Sequence, residues 1–257
     1  MRRYTYDAKN YPLSEIALGS IQKHYPDVQD LSLLHEHVPP KKIGELAKII
    51  GKDLADTNFY EIFDKLLEDY VSLGEILVQR FGNIRINIPN QDKDGTVLPF
   101  HQGQWVGNGL GLRTVWLPFT DAYDSNSLQI VNLMDSREIT NACKEWDYPR
   151  LQEECQKSCE PVNIKKGQFI LFTQEHIHGA AANRTGKTRM SVDVRLLLKD
   201  GQPHRKWPGA YFRKLHDTDI HSRKVEIKDN DNVVMYAEYE GFKTRYIDLH
   251  FQTLTVK

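Results

Sequence analysis

Apolar residues recur first at helical spacing and then at strand spacing, and the change falls near residue 83. After Pro39-Pro40, residues Ile43, Leu46, Ala47, Ile49 and Ile50 share one helical face. A longer set follows in Phe59, Ile62, Phe63, Leu66, Leu67, Tyr70, Leu73, Ile76 and Leu77. Its three-and-four spacing predicts one amphipathic helix reaching Leu77, with Asp56, Thr57 or Asn58 as its cap. Such a stripe must be covered by a sheet or by other helices.

From Asn83 the period is two. Arg85-Ile86-Asn87-Ile88 alternates, and Pro89-Asn90 and Asp94-Gly95 mark turns. Residues 112–119 and 127–133 are rich in strand formers, whereas 137–160 predicts a helical excursion with Trp146 and the cysteines. Further strands are expected at 161–164, 168–173 and 189–198, where Met190, Val192, Val194 and Leu196 alternate with polar residues. Short strands behind a helical layer predict a mainly β fold with flanking helices, an antiparallel barrel or jelly roll. One domain is expected over 1–257: a helical layer (1–82), a β core (83–200) and a C-terminal wall or lid (201–257).

Composition narrows the partners. Lys+Arg is 34 against Asp+Glu 35, so no basic excess exists to hold nucleic acid by counterion release. No apolar run approaches the roughly 18 residues of a membrane span, and the start has two arginines without the apolar core of a secretory signal. Cys143, Cys155 and Cys159 lie close together in a polar stretch without finger spacing, Cys155 and Cys159 on neighbouring turns of a surface helix. A cytoplasmic protein acting on a small molecule is the expectation, without membrane or nucleic acid.

Three of the ten histidines stand out. His101 closes a β-like segment, and His176 and His178 follow a strand in Gln174-Glu175-His176-Ile177-His178-Gly179. Neutral imidazole is the commonest protein ligand for borderline divalent metals, and imidazoles from two strands of one barrel can converge on an ion. Arg189 opens the last core strand, with the hydroxyl of Ser191 two residues on and on the same side. A guanidinium facing the interior can fork onto a carboxylate. Arg113 is a further candidate for the interior, or for a surface ion pair, and Asp193 and Arg195 share the parity of Arg189.

These features, in the segments PFHQG (99–103), VWLPFTDAYDSNSLQIV (115–131) and GQFILFTQEHIHGAAANRTGKTRMSVDVRL (167–196), resemble the Fe(II)/2-oxoglutarate-dependent oxygenases. The nearest branch is the phytanoyl-CoA hydroxylase-like one, with a weaker likeness to enzymes of carbohydrate-modification clusters. The resemblance spans residues 83–200 and implies a double-stranded β-helix. It implies that His101 and His178 ligate Fe(II), that Arg189 and Ser191 hold 2-oxoglutarate, aided by Arg113, and that O2 is the oxidant.

The pattern departs from the family at Gly103, where the family's His-x-Asp or His-x-Glu places its carboxylate ligand. Four explanations are open. Chloride fills the place, as in the non-haem iron halogenases. Water, or Asp121, Asp124 or Glu175, completes a hydroxylase site. A neutral donor, Gln102, Gln104 or His176, does so. Or the site is inactive. The expected reaction is oxidation of a C–H bond of a small polar metabolite such as a sugar, with halogenation as the alternative. Two competitors lie outside this class: a non-catalytic jelly-roll module using Trp105, Trp116, Trp207 and Tyr211 as a recognition surface, and a cupin-like sugar isomerase with His178 as base.

Overall fold

A computed structural model describes residues 1–90, 98–199, 201 and 211–217, and beyond them the backbone of four short strands. In chain order the elements begin with β1 (Arg2–Thr5), α1 (Leu13–Gln22), α2 (Leu34–His37), α3 (Ile43–Asp53) and α4 (Phe59–Tyr70). Next come β2 (Ile76–Gln79), β3 (Asn83–Asn87), β4 (Leu112–Pro118) and β5 (Leu128–Val131), then α5 (Leu133–Ala142) and α6 (Tyr148–Ser158). The core closes with β6 (Cys159–Pro161), β7 (Gln168–Thr173), β8 (His178–Ala180) and β9 (Arg189–Leu198), followed by β10 (Phe212–Lys214). Two hairpins pair β11 (Ile227–Asp229) with β12 (Asn232–Met235), and β13 (Arg245–Asp248) with β14 (Phe251–Thr255).

Two antiparallel sheets form the core. The larger runs β1-β7-β4-β9-β2-β10, with β3 also paired to β9, and the smaller runs β6-β5-β8. A backbone bridge between His101 and His178 adds the 98–101 segment to the smaller sheet. Trp116, Ile170 and Phe172 of the larger sheet pack with Leu128 and Ile130 of the smaller one, filling part of the space between them. The arrangement is a jelly roll, the double-stranded β-helix expected.

Strand β9 shows how the pattern selects the fold. Met190, Val192, Val194 and Leu196 are buried in a core shared with α1, α3 and α4. Burying each is worth about 1.5–3 kcal/mol. Their alternates, Arg189, Ser191, Asp193 and Arg195, turn to the interior between the sheets. A slip of one residue would drive two arginines and an aspartate into the apolar layer, so the register is strongly determined.

The structure corrects several expectations. Helix α4 ends at Tyr70; Val71 is extended and Gly74 takes φ +70°, a conformation open to glycine. Ile76 and Leu77 therefore lie in β2, opposite Leu198 and Leu197 of β9. Their apolar spacing continues the helical period by coincidence, and β pairing begins before residue 83. Residues 2–5 form a strand rather than part of a helical layer. Strand β5 stops at Val131, where Asn132 caps α5 by accepting the Asp135 amide at 3.0 Å. Cys155 is wholly buried against Val131, Ile139 and Ile177 rather than on a surface face, and Cys159 lies beyond α6 in β6. The Asp94-Gly95 turn, Trp207 and most of the proposed 201–257 wall lie outside the described residues. Of that wall, β10 joins β2, and buried Arg213 is clamped by Asp64 of α4, Nη2 to Oδ1 at 2.7 Å.

Candidate functional site

His101 and His178 exchange backbone hydrogen bonds, His101 N to His178 O at 3.0 Å and His178 N to His101 O at 2.9 Å. This pairing sets their rings beside each other, with centroids 4.4 Å apart. Each Nδ1 lies on a backbone carbonyl, His101 on Pro99 O at 2.9 Å and His178 on His176 O at 3.0 Å. A carbonyl only accepts, so Nδ1 carries the proton in both rings and Nε2 keeps its lone pair. That is the orientation a metal-ligating imidazole needs. Burial, and then the neighbouring His101, push His178 down to about 3, and burial lowers His101 as well. Both rings are therefore neutral donors at ordinary pH.

Arg189 reaches from the larger sheet to the turn that precedes β5. Its Nε donates to Asn126 O at 3.0 Å, and Nη1 donates to Ser191 Oγ at 3.0 Å and Arg85 O at 3.4 Å. Burial lowers its pKa to about 10, which leaves it charged, yet among the described residues no carboxylate pairs with it. Ser191 Oγ also accepts from Trp116 Nε1 at 3.1 Å. With both lone pairs engaged, its own proton is left to donate. A buried cation lacking a counter-charge, next to a free hydroxyl donor, suits a carboxylate from outside the chain.

Further along the same face, Arg195 donates through Nη1 to Asp193, which also accepts from Arg85 Nε at 3.2 Å and Asn83 Nδ2 at 3.1 Å. The interior pair expected from strand parity is formed. Arg113 is not brought to this row. It shares the parity of Val115 and Leu117, which pack into the helix-facing core, and its Nη1 donates to Leu112 O at 2.9 Å.

Of the substitutes considered for the missing carboxylate beside Gly103, Asp121 and Glu175 have their carboxylates engaged elsewhere. Asp121 accepts the Lys166 amide at 2.9 Å, and Glu175 pairs with Arg137 at 2.8 Å. Asp124 stands in a one-turn helix with its own amide on Asn163. Gln102 donates to Thr140 Oγ1 and Glu175 O, and His176 Nδ1 meets Thr173 Oγ1 at 2.9 Å. Gln104 opens the single turn Gln104–Val106. Among the described residues, no group of three or more His, Cys, Asp or Glu is placed to hold a metal ion.

The space beside Gly103 is nevertheless taken. A Cβ there would collide with Gln174 Oε1, with Gln174 Cδ 2.8 Å and Asn108 Nδ2 3.1 Å away. The sequence reading overlooked Gln174, although it shares the parity of Phe172, an interior residue. The aromatic recognition surface does not form as expected, because Trp116 is buried inside the barrel against Ser191.

Residues 50–191, more than half of the chain, match the family described as Phytanoyl-CoA dioxygenase (PhyH). The match begins inside α3, earlier than the 83–200 segment that carries the resemblance. No curated protein sequence matches. Among solved structures, SnoN, a non-heme alpha ketoglutarate dependent epimerase from nogalamycin biosynthesis, has a TM-score of 0.46 at 13% identity over 93% of this chain and 90% of that one. SnoK, a carbocyclase from the same biosynthesis, has a TM-score of 0.41 at 18% identity over 56% of this chain, which spans 61% of SnoK. HygX from Streptomyces hygroscopicus, solved with nickel and 2-oxoglutarate bound, has a TM-score of 0.41 at 11% identity over 76% of this chain and 81% of that one.

Proposed function

The chain belongs to the phytanoyl-CoA dioxygenase family of iron- and 2-oxoglutarate-dependent oxygenases, and from this premise we propose that it hydroxylates a C–H bond of a small polar metabolite, such as a sugar or sugar derivative. The observation that carries this reading is the pair of neutral imidazoles with free Nε2 atoms, in a barrel that also buries an unpaired arginine.

The residues fit the groups the family uses. His101 and His178 would hold Fe(II) through Nε2, with the Pro99 and His176 carbonyls fixing the ring tautomers. Arg189 would fork onto the distal carboxylate of 2-oxoglutarate, with the Ser191 hydroxyl donating to it, and Trp116 and Asn126 hold these two side chains in place. When bound, iron and 2-oxoglutarate supply with O2 the oxidising power to break a C–H bond. Asn83, Asp193 and Arg195, with exposed Arg85 at their edge, make a polar lining that favours a hydroxylated or charged substrate over an acyl chain. Against halogenation stands the carbonyl end of Gln174 beside Gly103, an acceptor that would repel a chloride placed there.

The test is anaerobic titration of the protein with Fe(II) and 2-oxoglutarate, with and without chloride, followed by visible absorption. A charge-transfer band indifferent to chloride is expected, together with succinate formation in air. His101→Ala and His178→Ala should each lose both signals, a fall of at least about a thousandfold in turnover. Full turnover in either variant would remove the ligand assignments, and a chloride-dependent band would turn the reading to halogenation.

A further inference from the structure

We infer that Gln174 completes the divalent-metal site of His101 and His178, offering its amide oxygen in the place where a side chain at position 103 would stand. The inference rests on the metal reading above and deepens it. Three observations carry it.

The first is position. The amide of Gln174 fills the space into which any side chain at 103 would grow, so the glycine leaves room for a residue supplied from the end of β7. Position 103 is where the family pattern places its third ligand. The donor has changed residue while the place it occupies is kept.

The second is orientation. Gln174 is 2% exposed, and its Nε2 donates to Thr114 Oγ1 on β4 at 2.8 Å. This contact turns Oε1 towards Gly103. Among the described residues Oε1 accepts no hydrogen bond. An amide oxygen with no donor on it keeps lone pairs that a Lewis acid can use.

The third is Asn108, 3% exposed, with neither its Nδ2 nor its Oδ1 hydrogen-bonded. Its Nδ2 approaches the same point beside Gly103. The oxygen of Gln174 and the unmet Nδ2 of Asn108 converge on one small volume, as expected of a site that receives a polar occupant. A neutral amide oxygen in place of a carboxylate lowers the negative charge offered to the ion by one. The site should therefore hold metal more loosely than a two-His, one-carboxylate site, and restoring that charge at Gln174 should tighten it.

Co(II), added alone to the full chain, is the probe, read through its visible absorption bands and its dissociation constant. The melting temperature of each metal-free protein reports whether it has folded. Gln174→Glu keeps the shape and adds the charge; it should bind Co(II) about tenfold tighter, with shifted bands. Gln174→Met keeps the bulk without the oxygen; it should bind about tenfold weaker, also with shifted bands, the scale on which a change at a metal site acts. Gly103→Asp should fold poorly because it meets Gln174, whereas Gly103→Asp with Gln174→Ala should fold and bind at least as tightly as the parent. The double variant keeps the test open if Gln174→Met does not fold. Parent-like affinity and spectra in both Gln174→Met and Gln174→Glu would overturn the assignment while leaving the histidine site standing. Failure of the parent to bind Co(II) at all would overturn both.

Discussion

Arg189 and Arg195 lie on the same interior face of the same strand, and both are buried, yet their surroundings differ in one respect. Arg195 has a carboxylate from its own chain, Asp193, which raises its pKa against the lowering effect of burial. Arg189 has two backbone carbonyls and a hydroxyl but no carboxylate paired with it among the described residues, and burial, then the charge of Arg85, bring it down to about 10. Taking a guanidinium out of water costs several kcal/mol unless a counter-charge offsets it. One arginine is therefore balanced within the fold, and the other keeps a charge that only a bound anion can balance.

Stability measurements should separate the two most sharply. Asp193→Asn leaves Arg195 buried without its counter-charge and should cost about 3–5 kcal/mol in denaturant unfolding of the metal-free protein. Arg189→Met breaks no ion pair and should change the same quantity by less than about 1 kcal/mol, or raise it. Equal losses in the two variants would break the comparison.

Ligand binding should then reverse the ranking. Arg189→Lys replaces a planar fork with a point charge and should weaken 2-oxoglutarate binding by about 10–100-fold, as read from saturation of succinate formation. Arg195→Lys should weaken it far less. An unchanged saturation curve for Arg189→Lys would count against its role.

Acid stability gives the last test. His176 and His178 have folded-state values lowered by burial to about 4 and about 3, against an ordinary 6.5. Between pH 6.5 and those values the unfolded chain binds protons that the folded chain refuses, so stability falls as the pH drops. The metal-free protein should melt on the order of 10 °C lower at pH 5 than at pH 7. Asp193, lowered by Arg195 and Arg85, and both arginines keep their charges over this interval, so the loss belongs to the imidazoles. A flat profile would show that the two rings are more solvated than their burial implies.

What could be read in advance follows the range over which each signal acts. The two faces of β9 were legible because strand parity is local, and the Asp193–Arg195 pair came with them. His101 and His178 were singled out together through the family resemblance, since their spacing alone left open which imidazoles converge. The end of α4 was not, since Leu73, Ile76 and Leu77 keep the helical period through a turn that a single glycine, Gly74, imposes. The strand at residues 2–5 was missed because it is stabilised by β7, far along the chain. Gly103 looked vacant because its spacing to His101 is local, whereas the side chain that fills the space comes from Gln174, placed there by the meeting of the two sheets. Arg113 was drawn towards the interior by its company with Thr114 and Trp116, although its parity was that of Val115.

The first strand also has a protective role. Residues 2–5 pair with 168–171 of β7 at the margin of the larger sheet, and Tyr4 stacks on Phe169 with ring centroids 4.7 Å apart. Without β1, the outer row of amides and carbonyls on the apolar run Phe169-Ile170-Leu171 would lie open to the strand of another molecule. Trimming a handful of N-terminal residues would thus leave the barrel interior intact while making the protein more prone to self-association.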